Sequence, residues 1–133
     1  KQVQHIKDFQ DCFIASRKYY GELEHQPLSF KELLNYPILM LAPKSTTSEY
    51  LHQVFAAQGL KLLPEVELNS NDLLIDLAEI GLGIACIPDY MLKNRPGLEP
   101  VDLKTPLPAR SAVIAHHEAL QLSQAAQCFL KYF

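Results

Sequence analysis

Residues 66–88, VELNSNDLLIDLAEIGLGIACIP, constrain the fold more than any other stretch because their hydrophobic period changes twice within a short span. Val66–Leu68 reads as a short strand. Asn69, Ser70 and Asn71 then offer three side chains able to accept a backbone N–H at a helix start. Leu73, Leu74, Leu77 and Ala78 recur at helical spacing with Asp72, Asp76 and Glu79 opposite, which predicts a helix packed on one side. Gly81 stands where a left-handed cap residue is wanted. Residues 83–87 form an uninterrupted apolar run closed by Pro88, which suits a strand covered on both faces. Strand, polar cap, helix, glycine turn and buried strand together indicate an α/β chain with a parallel sheet.

The segment EVELNSNDLLIDLAEIGLGIACIP resembles the effector-binding (substrate-binding) domain of LysR-type transcriptional regulators, in which an E-x-x-S start, a helix and a G-L-G-I-x-x-x-P strand recur in that order. The likeness extends upstream through PLSFKELLNYPILMLAPKSTTSEYLHQVFAAQGL and downstream to LSQAAQCFLKYF, and so covers nearly all of the chain. It implies a periplasmic-binding-protein-like (type 2) fold, with a mostly parallel sheet flanked by helices. In these terms residues 1–12 are a connecting strand from the first lobe, 13–95 form lobe II, and 96–133 return to lobe I with a closing helix. The family's effector domain is longer and follows a winged helix-turn-helix, so the DNA-binding part and the first third of the effector domain are absent here. The chain starts at Lys1 instead of Met and reads as a cut piece.

Composition narrows the partners. The 133 residues are 48% hydrophobic and 20% charged, enough apolar matter for a buried core. A net charge of −3 gives no general attraction to phosphate backbones, so DNA would be reached only through the missing N-terminal domain. No apolar run approaches bilayer-spanning length and no signal-peptide pattern opens the chain, so a cytoplasmic location without membrane contact is expected. Cys12, Cys86 and Cys128 are odd in number and lack a CxxC pair, as suits free thiols in a reducing compartment.

Along the chain, residues 12–15 are the strand-like part of 3–16, and residues 17–21 read as a loop whose tyrosines pack on the surface. Ser29-Phe30-Lys31-Glu32 fits a capping box for a short helix to about Asn35, ended by Tyr36-Pro37. Residues 38–42 are the next buried strand. Thr46-Thr47-Ser48-Glu49 reads as a second capping box, with Tyr50, Leu51, Val54 and Phe55 on one face of a helix ending before Gly59. Pro88 to Leu92 suggests a proline-started helical turn, and the proline-rich residues 94–110 are the least regular. Residues 112–115 form a strand ending in His116 and His117. Adjacent strand residues point to opposite faces, so this pair is a poor chelate. Leu122, Ala126, Phe129 and Phe133 mark a closing helix over 119–133. If the family's first third normally covers this part, Phe129, Phe133 and Val113 are exposed here, and dimerisation or strand exchange would cover them.

The best candidates for ligand chemistry are Ser45, Thr46 and Thr47. A strand leading into hydroxyl-bearing residues at a helix start makes a small anion site from free N–H groups and the helix dipole. In the look-alike family this loop faces the effector cleft, and a Thr or Ser matching Thr46 contacts ligand in some members. The family's frequent arginine shortly afterwards is Ser48 here, which removes the ion pair it would make. Asn69, Ser70 and Asn71 form a second polar strand-to-helix junction that can open on the same crevice. Plain capping accounts for these residues as well as ligand contact does.

Gly81-x-Gly83 lacks a third glycine and precedes a strand, the wrong context for a dinucleotide. No phosphate-loop, zinc-protease or serine-hydrolase pattern occurs, and no local pattern pairs a cysteine with a histidine. The expectation is therefore a sensor domain of a bacterial LysR-type regulator with no enzyme activity, metal or cofactor. It would bind a small anionic metabolite and act as a homodimer or higher homo-oligomer. A transport-type solute-binding protein of the same fold, or less readily an α/β enzyme, are the alternatives.

Overall fold

The computed structural model describes residues 2–132. Phe133, assigned to the closing helix above, lies outside them. The chain divides into two compact units, residues 10–108 and residues 2–9 with 109–132.

In the larger unit the C-terminal part of β1 (Gln2–Ser16) joins α1 (Phe30–Leu33), β2 (Ile38–Leu41), α2 (Thr46–Ala57), β3 (Val66–Leu68), α3 (Asn71–Glu79), β4 (Ile84–Pro88) and β5 (Leu98–Pro100). The sheet order is β3-β2-β4-β1-β5. Its β3-β2-β4 half is parallel, as the buried run 83–87 predicts, whereas β1 runs antiparallel to both β4 and β5. The sheet is thus mixed, and β4 stands at the change of direction with all five residues buried.

Strand alternation splits the core into two layers. Phe13, Ala15, Ile38, Met40, Ile84 and Cys86 face α1 and α2, where they meet Phe30, Leu33, Leu51 and Phe55. Ile14, Leu39, Ala85 and Ile87 face the other way, onto Leu74, Ile75 and Ala78 of α3. Each fully buried Leu, Ile, Phe or Met among them contributes about 1.5–3 kcal/mol. In α3 the packed face is Leu74, Ile75 and Ala78, and Leu73 is exposed instead of packed. Leu73 therefore joins Ile80, seven residues on, along the outer side of the helix.

Local signals fix the helix ends. The Ser29 box is complete: Glu32 N–H donates to Ser29 Oγ and Ser29 N–H to the Glu32 carboxylate, both at 3.1 Å. The second box does not form. Ser45, not Thr46, caps α2 by accepting the Ser48 N–H at 3.0 Å, so Thr46 is the first helical residue and Glu49 falls one place too late to reach back. Gly81 has φ of +86° and lies beneath the Tyr19 ring. Pro88 starts the expected single turn, Asp89–Met91.

The smaller unit contains the first part of β1, its partner β6 (Ala109–His116) and α4 (Gln124–Leu130). The closing helix is shorter than its periodicity suggests, because Ser123 caps it by accepting the Ala126 N–H at 3.1 Å and residues 117–120 form a turn. No described residue of this unit is buried. Val113 and Phe129 are 48% and 55% exposed.

Candidate functional site

β2 and β3 are parallel and in register to their ends, with Leu41 opposite Leu68 and the Ala42 N–H donating to the Leu68 carbonyl at 2.8 Å. Both strands lead straight into a helix. The first helix, α2, packs on one face of the sheet, and the second, α3, on the other. Neighbouring strands whose connections leave to opposite faces define a topological switch point, and the crevice beyond their carboxyl ends is where open α/β sheets take ligands.

The structure brings the two predicted groups to this one edge. After β2, residues 42–45 turn, with the Ser45 N–H donating to the Ala42 carbonyl at 2.9 Å. Ser45 and Thr47 are half-buried and Thr46 is exposed. After β3, Asn69 and Ser70 are exposed and Asn71 is half-buried. Ser70 Oγ accepts the Leu73 N–H at 3.2 Å, which makes it the cap of α3. Both serines are therefore spent on their helices. The hydroxyls of Thr46 and Thr47, the amides of Asn69 and Asn71, and the first N–H groups of α2 and α3 line the edge. Two helix starts side by side can hold an anion.

Two side-chain oxygens stand out here, one on Asn71, already among the expected site residues, and one on Ser48, which was not. Ser48 Oγ, in a residue with no exposed surface, and Asn71 Oδ1 are buried without a hydrogen-bond partner among the described residues. Each belongs to the first turn of one of the two helices. Only the family's arginine, missing at Ser48, had drawn attention to that position.

Other concave places lie elsewhere. A hollow of about 160 Å³ is lined by Asp11, Cys12, Val101, Asp102 and Leu107 among others, and one of about 220 Å³ by Ser29, Lys31, Gln58 and Thr105 with their neighbours. The Cys12 thiol in the first is pushed up to about 12 by burial, then by the Asp89 and Asp11 carboxylates, so it is a poor nucleophile at neutral pH. Among the described residues no group of three or more His, Cys, Asp or Glu is placed to hold a metal ion, and no helix is long and apolar enough to cross a membrane.

The comparisons bear on the fold and the family. HTH-type transcriptional activator CmpR of Synechocystis sp. is 28% identical over 98% of this chain, which spans 43% of that protein. The Synechocystis PCC6803 CcmR regulatory domain, solved in complex with 2-PG, superposes with a TM-score of 0.84 at 23% identity, covering 98% of this chain and 64% of that one. The effector binding domain of QuiR, in complex with shikimate, gives 0.82 at 11% identity over 98% of this chain and 62% of its own. The LysR substrate binding domain model matches residues 2–133 from end to end, and the chain belongs to that family.

Proposed function

We propose that this chain senses a small anionic metabolite for a bacterial, cytoplasmic LysR-type regulator, and that the ligand sits beyond Leu41 and Leu68. The observation that carries this reading is the switch point, which sets two helix starts and their polar side chains at one open edge. The residues that would hold the ligand are Ser45, Thr46, Thr47, Asn69, Ser70 and Asn71, the two serines through the helix starts they cap. No bond in the ligand is made or broken, and no metal or cofactor takes part.

Residues 10–108 correspond in this reading to lobe II, and residues 2–9 with 109–132 to part of lobe I. A ligand that prefers one lobe arrangement shifts the population of the regulator toward it, and reciprocity requires the operator to change ligand affinity by the same factor. DNA contact would belong to a winged helix-turn-helix outside this chain.

Self-association is part of the proposal. Leu73 and Ile80 on α3, and Val113 and Phe129 in the other unit, are exposed large apolar side chains. The first pair is bordered by Asp72 and by Asp76 and Glu79, which hold Arg95 at 2.6 and 2.7 Å, whereas α4 carries no acidic residue and is followed by Lys131. The apolar strip on one protomer thus suits the apolar face of a second copy.

The test is a thermal-shift screen of carboxylates, amino acids and inorganic anions, followed by Thr46→Val on whichever probe binds. Weaker binding with an unchanged melting temperature supports the site. Unchanged affinity removes Thr46 from it. Sedimentation at tens of micromolar tests association, and a strictly monomeric chain without dye-binding apolar surface would tell against the dimer.

A further inference from the structure

We infer that Gln10 and Tyr50 form a clasp that holds residues 101–108 as a fixed strap on the larger unit, so that the chain bends on its way to the smaller unit only beyond Pro108. Tyr50 ties that bend to α2. The inference concerns how the domain moves and does not depend on the ligand site proposed above.

The residue pattern of this segment argues for a loose connection. It follows the last strand of the larger unit, Pro106 and Pro108 have no N–H to give, and no helix or strand contains residues 101–108. Irregular, proline-bearing stretches at the edge of a compact unit are ordinarily where a chain flexes.

The contacts reverse that expectation. At the near end the Val101 N–H donates to the Phe13 carbonyl at 2.7 Å. Leu28 N–H donates to the Asp102 carbonyl and Lys104 N–H to the Leu28 carbonyl, both at 2.9 Å. Val101 and Leu107 are buried in the core layer that contains Phe13, Phe30 and Phe55. Between those two anchors the segment stands off β1 and leaves the hollow of about 160 Å³, with residues 10–13 on one side and Asp102, Leu103 and Pro106 on the other.

Two side chains fasten the far end. Gln10 Nε2 donates to the Leu107 carbonyl, and the Tyr50 hydroxyl donates to the Pro108 carbonyl at 2.9 Å. Gln10 is the first residue of the larger unit and Pro108 the last. The clasp therefore grips the chain where it enters that unit and where it leaves. A hinge is a small set of residues that absorb the change in φ and ψ, and a carbonyl held from the side cannot turn with them.

Tyr50 gives the clasp a direction. It is the fifth residue of α2, beside Leu51, which with Phe55 is fully buried and sets the helix on the sheet. A tyrosine has only two side-chain torsions, so its hydroxyl follows the helix that carries it. A shift of α2 either carries the Pro108 carbonyl along or breaks the bond, and in both cases the path of the chain past 108 changes. Tyr50 is thus a positioning residue through which α2 acts on the exit of the chain.

The experiment is nitrogen-15 relaxation and relaxation dispersion on this chain, read at Lys104, Leu107 and Ala109. It is run on the wild type, Tyr50→Phe, Gln10→Met and the double variant. In the wild type, Leu107 should be as rigid as Lys104, with an order parameter near the roughly 0.85 of fixed backbone. Each single variant should raise the open population at Leu107 and Ala109 about fivefold, the usual effect of one net hydrogen bond, and leave Lys104 unchanged. Urea midpoints close to that of the wild type would confirm that the fold persists in both. Ser45→Ala, which loosens the start of α2, should shift the Ala109 amide resonance in the wild-type background and not in the Tyr50→Phe background. Leu107 already mobile in the wild type, or unmoved in both single variants, overturns the clasp. An equal Ser45→Ala shift in both backgrounds overturns the tie to α2.

Discussion

Leu41 and Leu68 are partners at the ends of two parallel strands, yet the chain leaves Leu41 for one face of the sheet and Leu68 for the other. In open α/β sheets such a divergence leaves room beyond the strand ends, because neither connection covers those of its neighbour. It also separates two roles that one hydroxyl-rich sequence, Ser45-Thr46-Thr47-Ser48, compresses into adjacent positions. Ser45 holds the helix and Thr46 faces solvent.

The first prediction follows from that separation. Ser45→Ala removes the acceptor of the Ser48 N–H and should cost about 1 kcal/mol of stability, the usual loss of a serine cap. Thr46→Val, at an exposed first helical position, should leave stability within about 0.5 kcal/mol and act on ligand affinity alone. Urea titration of both variants checks the pair, and the reverse order of stabilities would return the cap to Thr46.

A second prediction concerns Gly81, whose φ of +86° already favours glycine. A Cβ there would come within 2.4 Å of the Tyr19 ring. Gly81→Ala should therefore lose about 1–2 kcal/mol from the left-handed backbone alone, and more from the ring. In a Tyr19→Ala background the same change should shrink toward the backbone cost. An equal loss in both backgrounds, measured by chemical denaturation, would show that the ring moves aside freely.

The sequence was legible where one local signal dominated. Ser29 with Glu32, Gly81, and the apolar run closed by Pro88 each have a single low-energy solution, and each stands where expected. The cap of α2 was misplaced because Ser45 and Thr46 both precede the helix and Glu49 completes a box pattern with Thr46 on paper. The packed face of α3 shifted because Leu73, Leu74 and Ile75 are consecutive apolar residues, and their period cannot say which of them is outside. That choice belongs to the sheet beneath. Strand order and antiparallel pairing on the β1 side were also out of reach, as they depend on contacts distant in the chain. The candidate site was legible as two polar junctions. Their shared edge was expected only from the fold; Asn71 was legible from its place at the helix start, whereas the buried Ser48 oxygen left no trace in residue patterns.

The third prediction comes from a buried carboxylate. Glu99, its side chain 6% exposed, accepts from Arg17 Nη1 at 3.2 Å, while the same Arg17 donates through Nε to the Pro96 carbonyl at 3.0 Å. Its other oxygen, Oε1, has no hydrogen-bond partner among the described residues. Arg17→Ala removes the cation and leaves the carboxylate covered, which should cost about 1–3 kcal/mol. The lower half of that range is expected, because Arg17 is half exposed and water screens the pair. Arg17→Met combined with Glu99→Leu should lose less than Arg17→Met alone, since no charge is then left buried. Denaturation midpoints that simply add would show that the two side chains do not act as a pair.

The last prediction uses the thiols as reporters. Burial, aided by Asp89 and Asp11, raises the Cys12 thiol from its ordinary 9.0 to about 12. The folded chain thus keeps this proton where the unfolded chain has released it. The sign follows directly: below about pH 9 both states are protonated and Cys12 has no effect on the pH dependence of stability. Between about pH 9 and 12 the unfolded state binds fewer protons, so stability falls as pH rises. Cys12→Ser, which does not titrate in this range, should flatten that alkaline fall while leaving the curve below it parallel. The same burial orders reactivity. At about pH 8 an alkylating reagent should modify exposed Cys128 first, half-buried Cys12 far more slowly because its thiol stays protonated, and buried Cys86 only on unfolding. Mass spectrometry of the native chain that finds Cys12 modified as fast as Cys128 would mean that burial does not hold the Cys12 thiol protonated.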